Sequence, residues 1–127
     1  MAYTNSFTWG DNTPCFIFTS LHGYNVKNIA EAASHEIGHT LGLRHQARYN
    51  DVCVKTEDYN SGTGSGQVSW APIMGVGYYR NQTTWHNGPN PFGCTSDQDD
   101  LSIITSTTNG IGYRPQDHGS TFTAATV

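Results

Sequence analysis

Charge is scarce in this chain. Lys, Arg, Asp and Glu make up only 13% of the 127 residues, and only six residues are Lys or Arg. A net charge of −4 with so few cations argues against nucleic acid as a partner, because phosphate binding needs clustered Lys and Arg. No apolar run is long enough for a membrane span, and no signal-peptide pattern opens the chain. Cysteine is rare and odd in number, at Cys15, Cys53 and Cys94, and no CxxC spacing occurs, which disfavours a thiolate zinc site. In an oxidising compartment Cys53 and Cys94 could pair, leaving Cys15 buried in a strand or with a partner outside the chain. Gly, Ser, Thr and Asn are abundant instead, a composition unlike that of a disordered polyelectrolyte. The length implies one domain with a modest core.

What is present is concentrated in residues 35–45, which read HExxHxxGxxH: His35, Glu36, His39, Gly42 and His45. From the chain's own composition, chance occurrence of these five identities at this spacing is below roughly 10⁻⁴. Helical residues four apart differ by about 40° in azimuth and about 6 Å in height, so His35 and His39 can address one metal ion. Glu36, about 100° from His35, falls beside the metal and not on it, suited to polarise water. A continuing helix would carry His45 about 9 Å past His39. Gly42 relieves this by allowing a positive φ and a reversal of the chain. Three histidines with an open fourth position are the catalytic form of zinc site. The helix itself is expected over residues 26–41, capped by Asn25, with Leu41 and Leu43 anchoring the turn in the core.

Downstream, Trp70-Ala71-Pro72-Ile73-Met74-Gly75 forms an apolar turn around a methionine. Together with the long histidine motif it resembles the metzincin clan of zinc endopeptidases. The resemblance implies that Met74 lies beneath the three histidines as a hydrophobic floor. It also implies that residues 75–80 wall the pocket for the side chain after the scissile bond. The chain departs from the best-known families at Gln46, after the third histidine, and at Val76, where some families carry a metal-reaching tyrosine. Tyr78 and Tyr79 are the nearest candidates for an oxyanion or pocket role. The wider pattern, including Gln98-Asp99-Asp100, is similar to secreted bacterial and environmental metallopeptidases, distantly reprolysin-like.

By this resemblance the expected fold is α+β: edge strands of an upper sheet, the active-site helix, and a loop-rich lower part closed by a C-terminal helix. Residues 2–7 and 15–19 read as two strands of that sheet, separated by the turn-rich 9–14. Only residues 1–25 precede the zinc helix, so the first strands and backing helix of such a sheet would be missing, as in a fragment or a minimal variant. Ser96 and Asp99 have capping-box spacing for a helix running to about Ser106. The catalytic domain is expected over 1–112, with 113–127 a linker or the start of a following β-rich domain.

Residues 60–66 and 81–95 read as loops bordering the cleft. Asp51, Glu57 and Asp58 could offer oxygens to calcium, but their spacing matches no calcium loop and a solvated acidic loop is the simpler reading. His22, His86 and His118 stand alone as structural or surface residues. Trp9, Trp70 and Trp85 are expected in the core or cleft wall. The sequence therefore points to a secreted, monomeric zinc endopeptidase acting on polypeptides, its signal peptide outside this chain. His35, His39 and His45 would hold Zn2+ and Glu36 would serve as general base. The alternative is a non-catalytic zinc- or peptide-binding module, or an inactive fragment of a larger protease.

Overall fold

The computed structural model describes residues 1–10 and 12–113. It is a small mixed α/β assembly organised around one long helix, α1 (Val26–Thr40), followed by short strand pairs and a five-residue helix. The strands are β1 (Arg48–Tyr49), β2 (Lys55–Glu57), β3 (Trp70–Pro72), β4 (Gln82–Thr84), β5 (Asn87–Pro89) and β6 (Asp97–Asp99), and the closing helix is α2 (Asp100–Ile104). They form three two-stranded sheets: β1 and β5 pair antiparallel with β2 and β6, while β3 and β4 run parallel. Two- and three-residue strands cannot hold a sheet alone. The segments are instead tied to one another and to α1 by side chains.

Helix α1 begins where the sequence places it. Asn25 is its N-cap, its side chain accepting a hydrogen bond from the Asn28 amide. Its end is a Schellman turn. Gly42 takes φ +103°, Leu43 N–H donates to Gly38 O at 3.0 Å and Gly42 N–H to His39 O at 2.9 Å. The Asn109 side chain donates to the Leu41 carbonyl at 2.9 Å in a buried bond, so the helix end is closed from across the molecule. Leu41 and Leu43 are buried as expected, with Ala32, Ala47, Ala71 and Met74 completing the apolar core.

The expected strands before α1 do not form. Residues 6–8 make a 3₁₀ turn after Asn5, which has φ 67°, and 12–18 carry no strand. A reciprocal pair of bonds, Phe16 N–H to Met1 O at 2.9 Å and the Met1 ammonium to Phe16 O at 2.6 Å, joins these segments. A stretch with strand propensity becomes a strand only beside another, and no neighbouring ladder is offered among the described residues. Phe16 and Phe18 are accordingly exposed and stack on each other, their centroids 6.4 Å apart. The upper-sheet edge is therefore not a feature of the described chain. Trp9 is also exposed, facing Tyr3 rather than a core.

At the other end, Ser96 is not the cap. Residues 97–99 pair with β5, and Asp99 caps a helix that starts at Asp100 and ends at Ile104. Pairing with β5 claims the residues that would have made the first helical turn. The loops expected at 60–66 and 81–95 are largely irregular, but β4 and β5 lie in the second. Cys53 and Cys94 are disulfide-bonded, joining the β1–β2 turn to the β5–β6 connection, and Cys15 is a free, half-buried thiol. Most of the tail, including His118, lies outside the described residues. Among those described, no helix is long and apolar enough to cross a membrane.

Candidate metal centre

The helix sets the first two histidines and the glycine turn brings in the third. His35 and His39 have ring centroids 4.8 Å apart, and His45 returns to 5.1 Å and 4.7 Å from them. One ligand atom from each of the three lies within 4.8 Å of the others, the only such His, Cys, Asp or Glu group among the described residues. His39 Nε2 and His45 Nε2 are 3.0 Å apart. Two nitrogens each 2.0–2.1 Å from a tetrahedral centre would stand about 3.3 Å apart, so the spacing suits a zinc-sized ion.

Ring chemistry agrees with that geometry. His35 Nδ1 meets the Ile73 carbonyl and His39 Nδ1 the Leu43 carbonyl, each at 2.8 Å. An Nδ1–H donated to a carbonyl leaves the Nε2 lone pair free for a metal. Burial lowers the His35 pKa against the opposing pull of the Ile73 carbonyl. Burial, with the neighbouring His39 and His35, lowers that of His45 to about 4. Both rings are thus neutral at pH 7, as ligation requires. The donor set fits zinc.

Around the histidines lies a cleft of about 380 Å³, lined by Ala32, His35, Glu36, His45, Tyr59, Gly75, Val76 and Tyr78. Glu36 reaches this cleft from α1, one residue past His35, and its Oε1 lies 2.8 Å from the Met1 ammonium. The opposite wall is the segment after Met74. Met74 is fully buried and packs beside Gly38, where an added Cβ would stand 2.6 Å from its sulfur. Its carbonyl accepts from the Gln46 amide at 2.8 Å, tying the methionine turn to the residue after the third histidine. Gly75 must lack a side chain, because a Cβ there would meet the Asn60 carbonyl at 2.2 Å. Lys27 Nζ donates to the Gly77 carbonyl at 2.9 Å and Thr83 Oγ1 to Glu31 at 3.1 Å, holding the wall against α1.

Of the two tyrosines flagged by the sequence, only Tyr78 faces the cleft. Its hydroxyl pKa is raised by burial and by the charges of Glu36 and Glu31, so it remains an O–H donor. Tyr79 is 89% exposed and outside the cleft lining; the two tyrosines are the central residues of a turn closed by Arg80 N–H to Gly77 O at 2.9 Å, which sends their side chains apart. Glu57 pairs with Arg48 and Asp58 with Lys55, so two of the three acids considered for calcium already have cationic partners. His22 packs edge-on against Tyr78, and His86 against Trp70.

Two features had no clear signal in the sequence. Tyr59, from the polar β2–β3 loop, lies with its ring 4.3 Å from that of His45. Beneath the site, Gln98 clamps the Arg44 backbone, accepting from its amide at 2.9 Å and donating to its carbonyl at 2.8 Å. Asp100 Oδ1 accepts from the side-chain amides of Gln98 and Gln46, while Oδ2 accepts from the His86 amide. The residues on either side of His45 are therefore held from the β6–α2 junction, Arg44 by Gln98 and Gln46 by Asp100. The only hint was composition: Gln46 and the Gln98-Asp99-Asp100 run are polar groups beside apolar core positions, and their burial could not be read locally.

Comparison with curated proteins and with solved structures gave no match. A family model described as dual-action HEIGH metallo-peptidase matches residues 10–79, and the letters HEIGH are residues 35–39 of this chain. That match spans more than half of the chain and contains the whole histidine cluster, so the protein belongs to the HEIGH metallo-peptidases, a zinc metallopeptidase family.

Proposed function

We propose that the chain is a zinc endopeptidase domain in which His35, His39 and His45 hold the metal and Glu36 is the general base. The observation that carries this reading is the convergence of three ring nitrogens on a cleft that also receives the Glu36 carboxylate. When bound, zinc supplies Lewis acidity, bringing the pKa of water near neutrality and drawing electron density from a carbonyl. Glu36 takes a proton from the attacking water and delivers it to the departing amine nitrogen. The Tyr78 hydroxyl, kept protonated in the cleft wall, donates to the oxyanion as the carbonyl becomes tetrahedral. Met74 acts as the apolar floor of the histidine cluster, supported by its burial against Gly38. The metzincin kinship rests on this methionine turn together with the histidine motif.

A polypeptide is the substrate this cleft suits, entering between α1 and the wall at residues 75–78. The catalytic unit is assigned to residues 1–112, acting as a secreted monomer outside the compartments that keep thiols reduced; the Cys53–Cys94 disulfide supports that placement. The test is cleavage of a diverse peptide mixture by zinc-loaded protein, read by mass spectrometry beside Glu36→Ala. The expected result is internal cleavage by the wild type, lost in the variant and in chelator while zinc still binds the variant. Equal cleavage by Glu36→Ala would refute the mechanism. Zinc binding with no cleavage by either protein would favour a binding module.

A further inference from the structure

The three histidines are not restrained alike. His35 and His39 each have Nδ1 tied to a backbone carbonyl, whereas His45 Nδ1 has no such partner among the described residues. His45 also stands outside the helix, beyond the Gly42 turn, where no neighbouring helical turn limits its ring. Besides the other two histidines, the ring is met by Tyr59, with centroids 4.3 Å apart and planes inclined by 47°.

The backbone places Tyr59 there with several independent ties. Asn60 N–H donates to the Gln46 carbonyl at 2.8 Å, and Val76 N–H to the Asn60 carbonyl at 3.0 Å. Residue 60 is thereby threaded between the residue after His45 and the cleft wall. Arg48 donates to Asn60 Oδ1 at 3.1 Å and to Glu57 at 2.8 Å, and Glu57 accepts from the Ser61 amide at 2.7 Å. These bonds anchor both sides of Tyr59, yet the residue itself is 46% exposed. A nearly half-exposed aromatic ring contributes little to a core. Held this firmly against one histidine, it has a use at the metal site.

We propose that Tyr59 is the positioning residue for His45. Its ring face does for the third histidine what the Ile73 and Leu43 carbonyls do for the other two, keeping Nε2 turned toward His39 Nε2. The inference rests on the reading of His35, His39 and His45 as metal ligands. Contact through the ring, not the hydroxyl, sets the prediction for each variant. Partners that orient a ligand typically change metal affinity by about 10- to 100-fold when removed.

The experiment measures zinc affinity by chelator competition, and the visible absorption of the cobalt-substituted protein, for wild type, Tyr59→Phe, Tyr59→Ala and His45→Ala. Tyr59→Ala should weaken zinc binding about tenfold or more and alter the cobalt bands. Tyr59→Phe should bind within about twofold of wild type, with unchanged bands, because it keeps the ring. If Tyr59→Ala fails to fold by circular dichroism, Tyr59→Leu, which covers the loop without a flat face, takes its place. Wild-type affinity and spectrum in the Ala or Leu variant, with His45→Ala impaired, would overturn the role of Tyr59 and leave the metal site standing. Equal losses in Phe and Ala would also overturn it, since the hydroxyl would then be responsible. Failure of the wild type to take up zinc or cobalt would overturn the ligand reading itself.

Discussion

Gly38→Ala puts the packing beneath the metal centre to a test in which two general effects oppose each other. In an exposed helix interior, replacing glycine by alanine stabilises by about 1 kcal/mol through helix propensity. Gly38 is buried in α1, and a Cβ there would stand 2.6 Å from Met74 Sδ, 3.2 Å from Leu43 Cδ1 and 3.2 Å from Trp85 Cζ3. Three neighbours crowd that position, and Met74 and Leu43 are fully buried, so neither yields without displacing others. Overpacking of this kind costs about 1–3 kcal/mol. The net expectation is destabilisation by about 1 kcal/mol, worth a few degrees in Tm for a domain of this size. Zinc affinity should fall as well, because the Leu43 carbonyl holds His39 and the Met74 carbonyl holds the Gln46 amide. Urea unfolding of the metal-free protein, followed by circular dichroism, measures the first effect and chelator competition the second. A variant about 1 kcal/mol more stable than wild type, the bare propensity gain, would show that Met74 and Leu43 do not press on Gly38.

Reducing the Cys53–Cys94 disulfide, which closes a loop with a sequence separation of 41, should lower stability by about 4 kcal/mol on the loop-entropy model. Urea midpoints with and without reductant check this, and an unchanged midpoint would count against it. Burial pushes the Asp100 carboxyl from 3.8 to about 6, so the folded state holds that proton more tightly than the unfolded chain. Its contribution is fully present below pH 3.8 and is lost as pH rises through 6, about 3 kcal/mol in all. Asp100→Asn should therefore flatten the stability profile between pH 4 and 7 relative to wild type, and an unaltered slope in parallel urea titrations would refute it.

The sequence by itself determined the features whose geometry is local. Asn25 capping α1, the i, i+4 placement of His35 and His39, and the reversal at Gly42 follow from helical periodicity and glycine's access to positive φ. Those residues need only their immediate neighbours, so a linear pattern carries them. Pairing of Cys53 with Cys94 was open to a sequence reading but not required by it, since three cysteines allow several pairings. Tertiary structure decided the rest. Residues 15–19 have the composition of a strand but no ladder to join, and residues 97–99 pair with β5 instead of opening a helix. Tyr78 enters the cleft and Tyr79 leaves it because they are the central residues of the Gly77–Arg80 turn, which Lys27 holds against α1 through the Gly77 carbonyl. Tyr59 reaches His45, and Gln98 reaches Arg44 across a separation of 54 residues, only when the chain folds back on itself. Hydrogen bonds and ring contacts between distant segments leave no periodic trace in a sequence. The metal-binding motif is therefore legible in one line of residues, while the shell that orients it exists only in three dimensions.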